Sequence, residues 1–114
     1  DPTEWFEVIA HGNCVDYKKP SPDLYMWALE KLQLHPNSCL AIEDAPRGML
    51  SAYEAGLKVI ITPSKYTNQE KFDLASLVVS DLGEPNDPFE LLKGESFNKK
   101  FVDVELLKMV FSSN

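Results

Sequence analysis

The hydrophobic residues of this chain fall into short apolar runs that alternate with segments of helical spacing. An apolar run of this length, rich in β-branched residues, is typical of a buried strand, and spacing of three and four is typical of an amphipathic helix. Alternation of the two predicts an α/β fold with a parallel sheet. The predicted strands are 6–10, 39–42, 57–61 and 77–79; the predicted helices are 24–32 and 46–55, with weaker helical spacing at 68–74, 89–92 and 102–111.

Local signals mark the ends of the two strong helices. Ser21, Pro22 and Asp23 supply an N-cap, a proline for the first turn and an acid near the positive helix end. Pro46 begins the second helix and Gly56 ends it. Both helices therefore start directly after a polar loop, which is where ligands bind in an open α/β sheet.

The net charge of the chain argues against two classes of partner. The 114 residues carry 11 basic and 18 acidic side chains, for a net charge of −7 and a pI of about 4.7. Nucleic acids and anionic membranes attract the opposite sign of charge, so we expect neither as a partner. Because no apolar stretch is long enough to span a membrane and the first residues do not resemble a secretory signal, we expect a cytoplasmic protein, or a plastid one if the source is a photosynthetic eukaryote.

The cysteines and histidines show no metal-binding spacing. Cys14 and Cys39 form no CxxC pair, and His11 and His35 form no HxxxH pair. We expect Cys39 to be a buried free thiol, with a disulfide to Cys14 as the open alternative. His11 and His35 are expected to be loop or helix-end residues without a chemical role.

Candidate chemistry lies in two polar segments that follow predicted strands. Lys19 precedes the first helix, and Glu43 and Asp44 follow the strand at 39–42. Ammonium and carboxylate groups together are suited to a phosphate with a hard divalent cation. Two plainer interpretations stay open, since Asp44 is also a good N-cap and Lys19 a normal solvated loop residue. Glu43 at the end of a buried strand requires a metal or a lysine as its partner.

The order and spacing of these motifs resemble the third and fourth motifs of the haloacid dehalogenase (HAD) superfamily. The matching residues are Lys-Pro-Ser-Pro-Asp-Leu-Tyr at 19–25, Ile-Glu-Asp-Ala-Pro-Arg-Gly at 42–48 and Ala-Gly-Leu at 55–57. Further residues resemble the C-terminal region of the CbbY-like branch, which includes sugar-phosphate phosphatases and relatives of β-phosphoglucomutase. These are 64–67, Phe72, 82–85 and 102–103.

The resemblance implies a fold and a set of roles. It implies that residues 1–114 are the C-terminal part of a Rossmann-like HAD core, a parallel sheet in a three-layer α/β/α arrangement without the cap domain. In such a core Lys19 is the catalytic lysine that neutralises the phosphoryl group, and Glu43 and Asp44 hold Mg²⁺. The partners that it implies are a small phosphorylated sugar and the upstream half of the same core domain.

The chain departs from the family pattern in two ways. Ala45 stands where the family has a serine, which removes a hydroxyl at the edge of the site. No Asp-x-Asp motif follows an apolar strand, so we expect the nucleophilic aspartate and the cap upstream, and no turnover by the 114 residues alone.

The resemblance implies that the full-length protein is a magnesium-dependent phosphatase of a small sugar phosphate, with xylulose 1,5-bisphosphate as the best single guess. The reaction would pass through an aspartyl-phosphate intermediate. The alternatives are a sugar phosphomutase of the same superfamily and a non-catalytic HAD-like interaction module.

Overall fold

The computed structural model describes residues 19–64 and 71–113. Within them a four-stranded sheet has the order β1-β2-β3-β4, in which the strands follow their sequence order. The strands are β1 Leu40–Glu43, β2 Lys58–Ile61, β3 Leu77–Val79 and β4 Leu91–Lys93; the α-helices are α1 Asp23–Leu32, α2 Pro46–Glu54 and α3 Val104–Ser112, and a short 3₁₀ helix spans Pro36–Ser38. The predicted strand at 6–10 lies outside the described residues.

The predicted strands at 39–42, 57–61 and 77–79 are confirmed, and so is the parallel pairing among them. β1 pairs with β2 and β2 with β3, both in parallel. The helical interpretation of 89–92 is wrong, because β4 begins at Leu91 and pairs antiparallel with β3, with Val79 opposite Leu91. The described part of the weak segment at 68–74, residues 71–74, also forms no helix.

Helices cover both faces of the sheet. Along β2, Val59 and Ile61 face one core cluster while Ile60 faces the other, as expected from the alternation of side chains in a strand. The first cluster includes Leu29 of α1 and Met49 of α2, and the second includes α3. The three-layer α/β/α prediction is therefore confirmed. No helix in the described ranges is long and apolar enough to span a bilayer.

The helix starts differ slightly from the sequence prediction. The N-cap of α1 is Pro22 rather than Ser21, although the Ser21 hydroxyl still accepts a hydrogen bond from the Asp23 amide at 3.3 Å. Helix α2 begins at Pro46 as predicted, and Gly56 follows its end with φ of +91°. A glycine adopts that left-handed conformation without the steric cost of a β carbon.

Cys39 and His35 lie in the loop between α1 and β1. The Cys39 thiol is free and half-buried, and it packs against the first core cluster. The His35 ring caps the short 3₁₀ helix, since its Nδ1 accepts a hydrogen bond from the Asn37 amide at 3.1 Å. His35 is a loop residue, as predicted, whereas Cys39 is half-buried rather than fully buried; Cys14 and His11 lie outside the described residues.

Candidate active site

The candidate site lies at the carboxyl end of β1. Glu43 is the last residue of this strand and Asp44 follows it, two residues before α2 begins. The Glu43 carbonyl accepts a hydrogen bond from the Thr62 amide at 2.9 Å, so the parallel ladder extends to the strand's last residue. The paired acids therefore occupy the edge of the sheet at which α/β proteins bind ligands.

Lys19 and Glu43 form an ion pair across 24 positions of sequence. Lys19 Nζ lies 2.8 Å from Glu43 Oε2. The Glu43 side chain is only 10% exposed, whereas that of Lys19 is 36% exposed. A carboxylate that has lost most of its water requires a charged or hydrogen-bonding partner, and Lys19 supplies one. The pair places the Lys19 ammonium directly beside the Glu43 carboxylate.

Tyr25 is a third member of this cluster, and sequence reasoning missed it. Its hydroxyl donates a hydrogen bond to the same oxygen, Oε2 of Glu43, and Lys19 Nζ lies 5.4 Å from the centre of its ring. Burial raises the pKa of the Tyr25 phenol, and the Glu43 carboxylate raises that pKa further. The spacing of α1 identified Tyr25 only as an apolar-face residue. The available signal was that a buried tyrosine hydroxyl requires a polar partner.

The loop that carries Lys19 is anchored to α2 by two further contacts. Arg47 donates a hydrogen bond from Nη2 to the Lys19 carbonyl at 2.6 Å, and the fully buried Ser51 hydroxyl donates to the Ser21 carbonyl at 2.7 Å. The Lys19–Pro20 peptide bond is cis. The position of Lys19 is therefore set by backbone anchors as well as by its ion pair.

Asp44 is exposed and is not the N-cap of α2. That cap is Ala45, which makes no side-chain hydrogen bond to the helix. The interpretation of Asp44 as the N-cap of α2 is therefore wrong, and this exposed residue follows Glu43 directly at the carboxyl end of β1.

The donor atoms of the acidic pair fit a magnesium ion. Mg²⁺ prefers hard oxygen ligands and is commonly held by one or two carboxylates together with water and substrate phosphate. Within 19–64 and 71–113, no group of three or more His, Cys, Asp and Glu side chains has metal-binding geometry. Glu43 and Asp44 are thus suited to supply part of a ligand set rather than a complete one. The Ser64–Thr67 segment lies mostly outside the described residues.

Comparison with known proteins identifies the family. The model of the haloacid dehalogenase-like hydrolases matches residues 1–62, which are more than half of the chain and include Lys19, Glu43 and Asp44. The chain belongs to this family. Protein CbbY of Rhodobacter capsulatus is 51% identical over 77 residues, which are 68% of this chain and 34% of that protein. A CBBY-like protein of Arabidopsis thaliana is 38% identical over 96 residues, which are 82% of this chain and 30% of that protein.

Solved structures of other HAD proteins share this fold. CbbY from Rhodobacter sphaeroides, solved as a mutant in complex with xylulose 1,5-bisphosphate, has a TM-score of 0.67 at 42% identity. The match covers 68% of this chain and 35% of that one. A β-phosphoglucomutase-like protein from Thermotoga maritima matches with a TM-score of 0.60 at 27% identity, over 68% of this chain and 37% of that one. The 114-residue chain spans about a third of the length of the curated relatives that it matches.

Proposed function

We propose that the complete polypeptide containing this chain is a magnesium-dependent phosphatase of a small phosphorylated sugar. The observation that carries the proposal is the 2.8 Å contact between Lys19 and Glu43 beside Asp44, at the carboxyl end of β1. Similarity to CbbY proteins and to a hexitol phosphatase of Escherichia coli supports the substrate class. The complex of Rhodobacter sphaeroides CbbY makes xylulose 1,5-bisphosphate the first substrate to test.

Each charged residue has a distinct role in this proposal. The Lys19 ammonium offsets negative charge on the phosphoryl group, and Glu43 holds that ammonium in place. Asp44 and Glu43 would hold Mg²⁺, which when bound supplies positive charge to the phosphoryl oxygens. Phosphoryl transfer depends mainly on positioning and charge stabilisation, which are the two things that a fixed cation and a pair of acids supply.

The reaction also requires a nucleophile from outside these residues. In the proposed sequence an upstream aspartate attacks phosphorus, and the bond from phosphorus to the sugar oxygen breaks. The sugar leaves as an alcohol after taking a proton from a second upstream aspartate, which then accepts the proton of the attacking water. Water then attacks the aspartyl phosphate, which releases phosphate and restores the carboxylate. Residues 1–114 are accordingly the C-terminal part of the core domain, and the upstream segment is their partner.

The proposed substrate class agrees with the charge of the chain. A net charge of −7 favours a small ligand bound at a local cationic group over a nucleic acid or an anionic membrane. We place the enzyme in the cytoplasm, or in the plastid if its source is a photosynthetic eukaryote.

The upstream gene sequence provides the first test. We expect an apolar strand that ends in an Asp-x-Asp motif upstream of Asp1. A complete gene without that motif would exclude the phosphatase and favour the interaction module.

Substitutions in the complete polypeptide provide the second test. We expect Lys19→Ala and Asp44→Asn each to lower magnesium-dependent phosphate release by at least about a hundredfold. Each substitution removes a charged group that stabilises the transition state, either directly or by holding Mg²⁺. The matched controls are Lys31→Ala and Asp73→Asn at exposed positions of the same chain. Phosphate release is measured with xylulose 1,5-bisphosphate, with and without a chelator. Unchanged turnover in both site variants would refute the assignment, and phosphate found on a second sugar hydroxyl would identify a mutase.

A further inference from the structure

The Tyr25 side chain donates a hydrogen bond to the carboxylate of the Lys19–Glu43 ion pair. Tyr25 is the third residue of α1, and its ring packs against the first core cluster beneath the site. The packed ring gives its hydroxyl a defined position, and that hydroxyl donates to Oε2 of Glu43. A rigid aromatic donor thus contacts a carboxylate that lies 18 positions away in sequence.

Both donors of the cluster reach the same carboxylate oxygen. Lys19 Nζ and the Tyr25 hydroxyl contact Oε2, while Oε1 lies against the first turn of α2 beside Gly48. Two hydrogen bonds from different directions hold one carboxylate oxygen and thereby orient the plane of the group. The second oxygen is then oriented as well, since the carboxylate is planar.

We propose that Tyr25 is a positioning residue. It orients the Glu43 carboxylate so that one oxygen accepts a hydrogen bond from Lys19 while the carboxylate also contributes to the magnesium site. This inference rests on the phosphatase function proposed above. Hydrogen-bond partners of metal-ligating carboxylates orient them, and loss of such a partner typically weakens metal affinity or activity by about 10- to 100-fold. Neither the charge pattern nor the motif spacing assigns this role to Tyr25.

The test is Tyr25→Phe in the complete polypeptide. This variant keeps the ring that packs in the core and faces Lys19, and it removes only the hydroxyl. We expect about tenfold weaker binding of Mg²⁺ alone, followed as shifts of the Asp44 and Ala45 amide signals in NMR. We also expect kcat to fall by about tenfold with KM for the sugar phosphate within about twofold. The matched control is Tyr53→Phe, which removes the same hydroxyl from an exposed tyrosine on α2 and leaves both quantities unchanged.

A second substitution separates positioning from general stability. If Tyr25 acts through Glu43, the effect of Tyr25→Phe on Mg²⁺ affinity disappears in a Glu43→Gln background. An equal effect in both backgrounds would overturn the inference. So would a Tyr25→Phe protein that binds Mg²⁺ and turns over like wild type. Failure of the wild-type protein itself to bind Mg²⁺ or release phosphate overturns the proposed function instead, and the inference falls with it.

Discussion

Gly48 in the first turn of α2 lies directly against the Glu43 carboxylate. A β carbon at position 48 would stand 1.8 Å from Oε1 of Glu43 and 2.5 Å from its Cδ. Glycine inside a helix costs about 1 kcal/mol relative to alanine, so local helix stability does not account for it here. The residue is explained by the space that the carboxylate occupies.

We therefore predict that Gly48→Ala displaces Glu43 rather than unfolding the chain. The methyl group gains helix propensity of about 1 kcal/mol but forces the flexible carboxylate away from Lys19 and Tyr25. Phosphate release by the complete polypeptide should fall by at least about tenfold, because the Lys19 ammonium loses its partner. Urea denaturation should show little loss of stability, and Glu54→Ala on the exposed side of α2 is the control. Full activity in Gly48→Ala would contradict the prediction.

Ala45→Ser should stabilise α2. Ala45 has the extended backbone of an N-cap, with φ of −142°, but it has no side-chain acceptor for the first helical amides. A serine at this position adds that acceptor, and we expect a gain of about 1 kcal/mol in the free energy of unfolding. The measurement is urea denaturation, with Ala45→Val as a variant that adds bulk without an acceptor. Equal stability of the serine and valine variants would show that capping is not responsible.

Lys58 should contribute to the stability of α3. Its ammonium donates hydrogen bonds to the carbonyls of Val110, Phe111 and Ser113 at the C-terminal end of this helix, where carbonyls lack partners within the helix. We predict that Lys58→Met lowers the free energy of unfolding by about 1–2 kcal/mol. Amide exchange in the last turn of α3 should accelerate before that of the sheet. Lys108→Met, at an exposed position of α3, is the matched control, and similar losses in both variants would refute the capping role.

Asp103 should make α3 sensitive to acid. Its carboxylate accepts a hydrogen bond from the Leu106 amide at 2.8 Å and another from Lys99 at 3.2 Å. These interactions, the Leu106 amide foremost, lower the pKa of Asp103. A lowered pKa means that the stabilisation is present above the unfolded-state pKa and is lost as the pH falls through the folded-state pKa.

Asp103 is the N-cap of α3, and the test compares wild type with Asp103→Asn, which keeps a side-chain acceptor at this position without its charge. We expect the wild type to be more stable at neutral pH and the difference to shrink as the pH falls below about 4, the ordinary pKa of an aspartate side chain. Asp87→Asn in an exposed loop is the control, and its difference from wild type should not follow the same pH dependence. A difference between wild type and Asp103→Asn that is constant with pH would contradict the prediction.

Local patterns in the sequence were sufficient to predict much of the architecture. The apolar run before Glu43 and the proline at position 46 predict β1 and α2 because strand burial and helix initiation depend on neighbouring residues. The β4 strand was not predictable in this way. All three of its residues are exposed, so it carries no alternation of buried and exposed positions, and only its pairing with β3 defines it.

The candidate site likewise has a part that the sequence predicts and a part that only the tertiary structure shows. The sequence by itself determined that Lys19 and the acids Glu43 and Asp44 stand near the ends of predicted strands, at positions suited to phosphate and magnesium, because residue type and distance from predicted strands are local properties. Only the tertiary structure decided that Lys19 and Tyr25 share one oxygen of Glu43, and that Gly48 makes room for the other. Such contacts join residues on separate elements. They depend on how α1 and α2 pack together beside β1, which no spacing along the chain specifies.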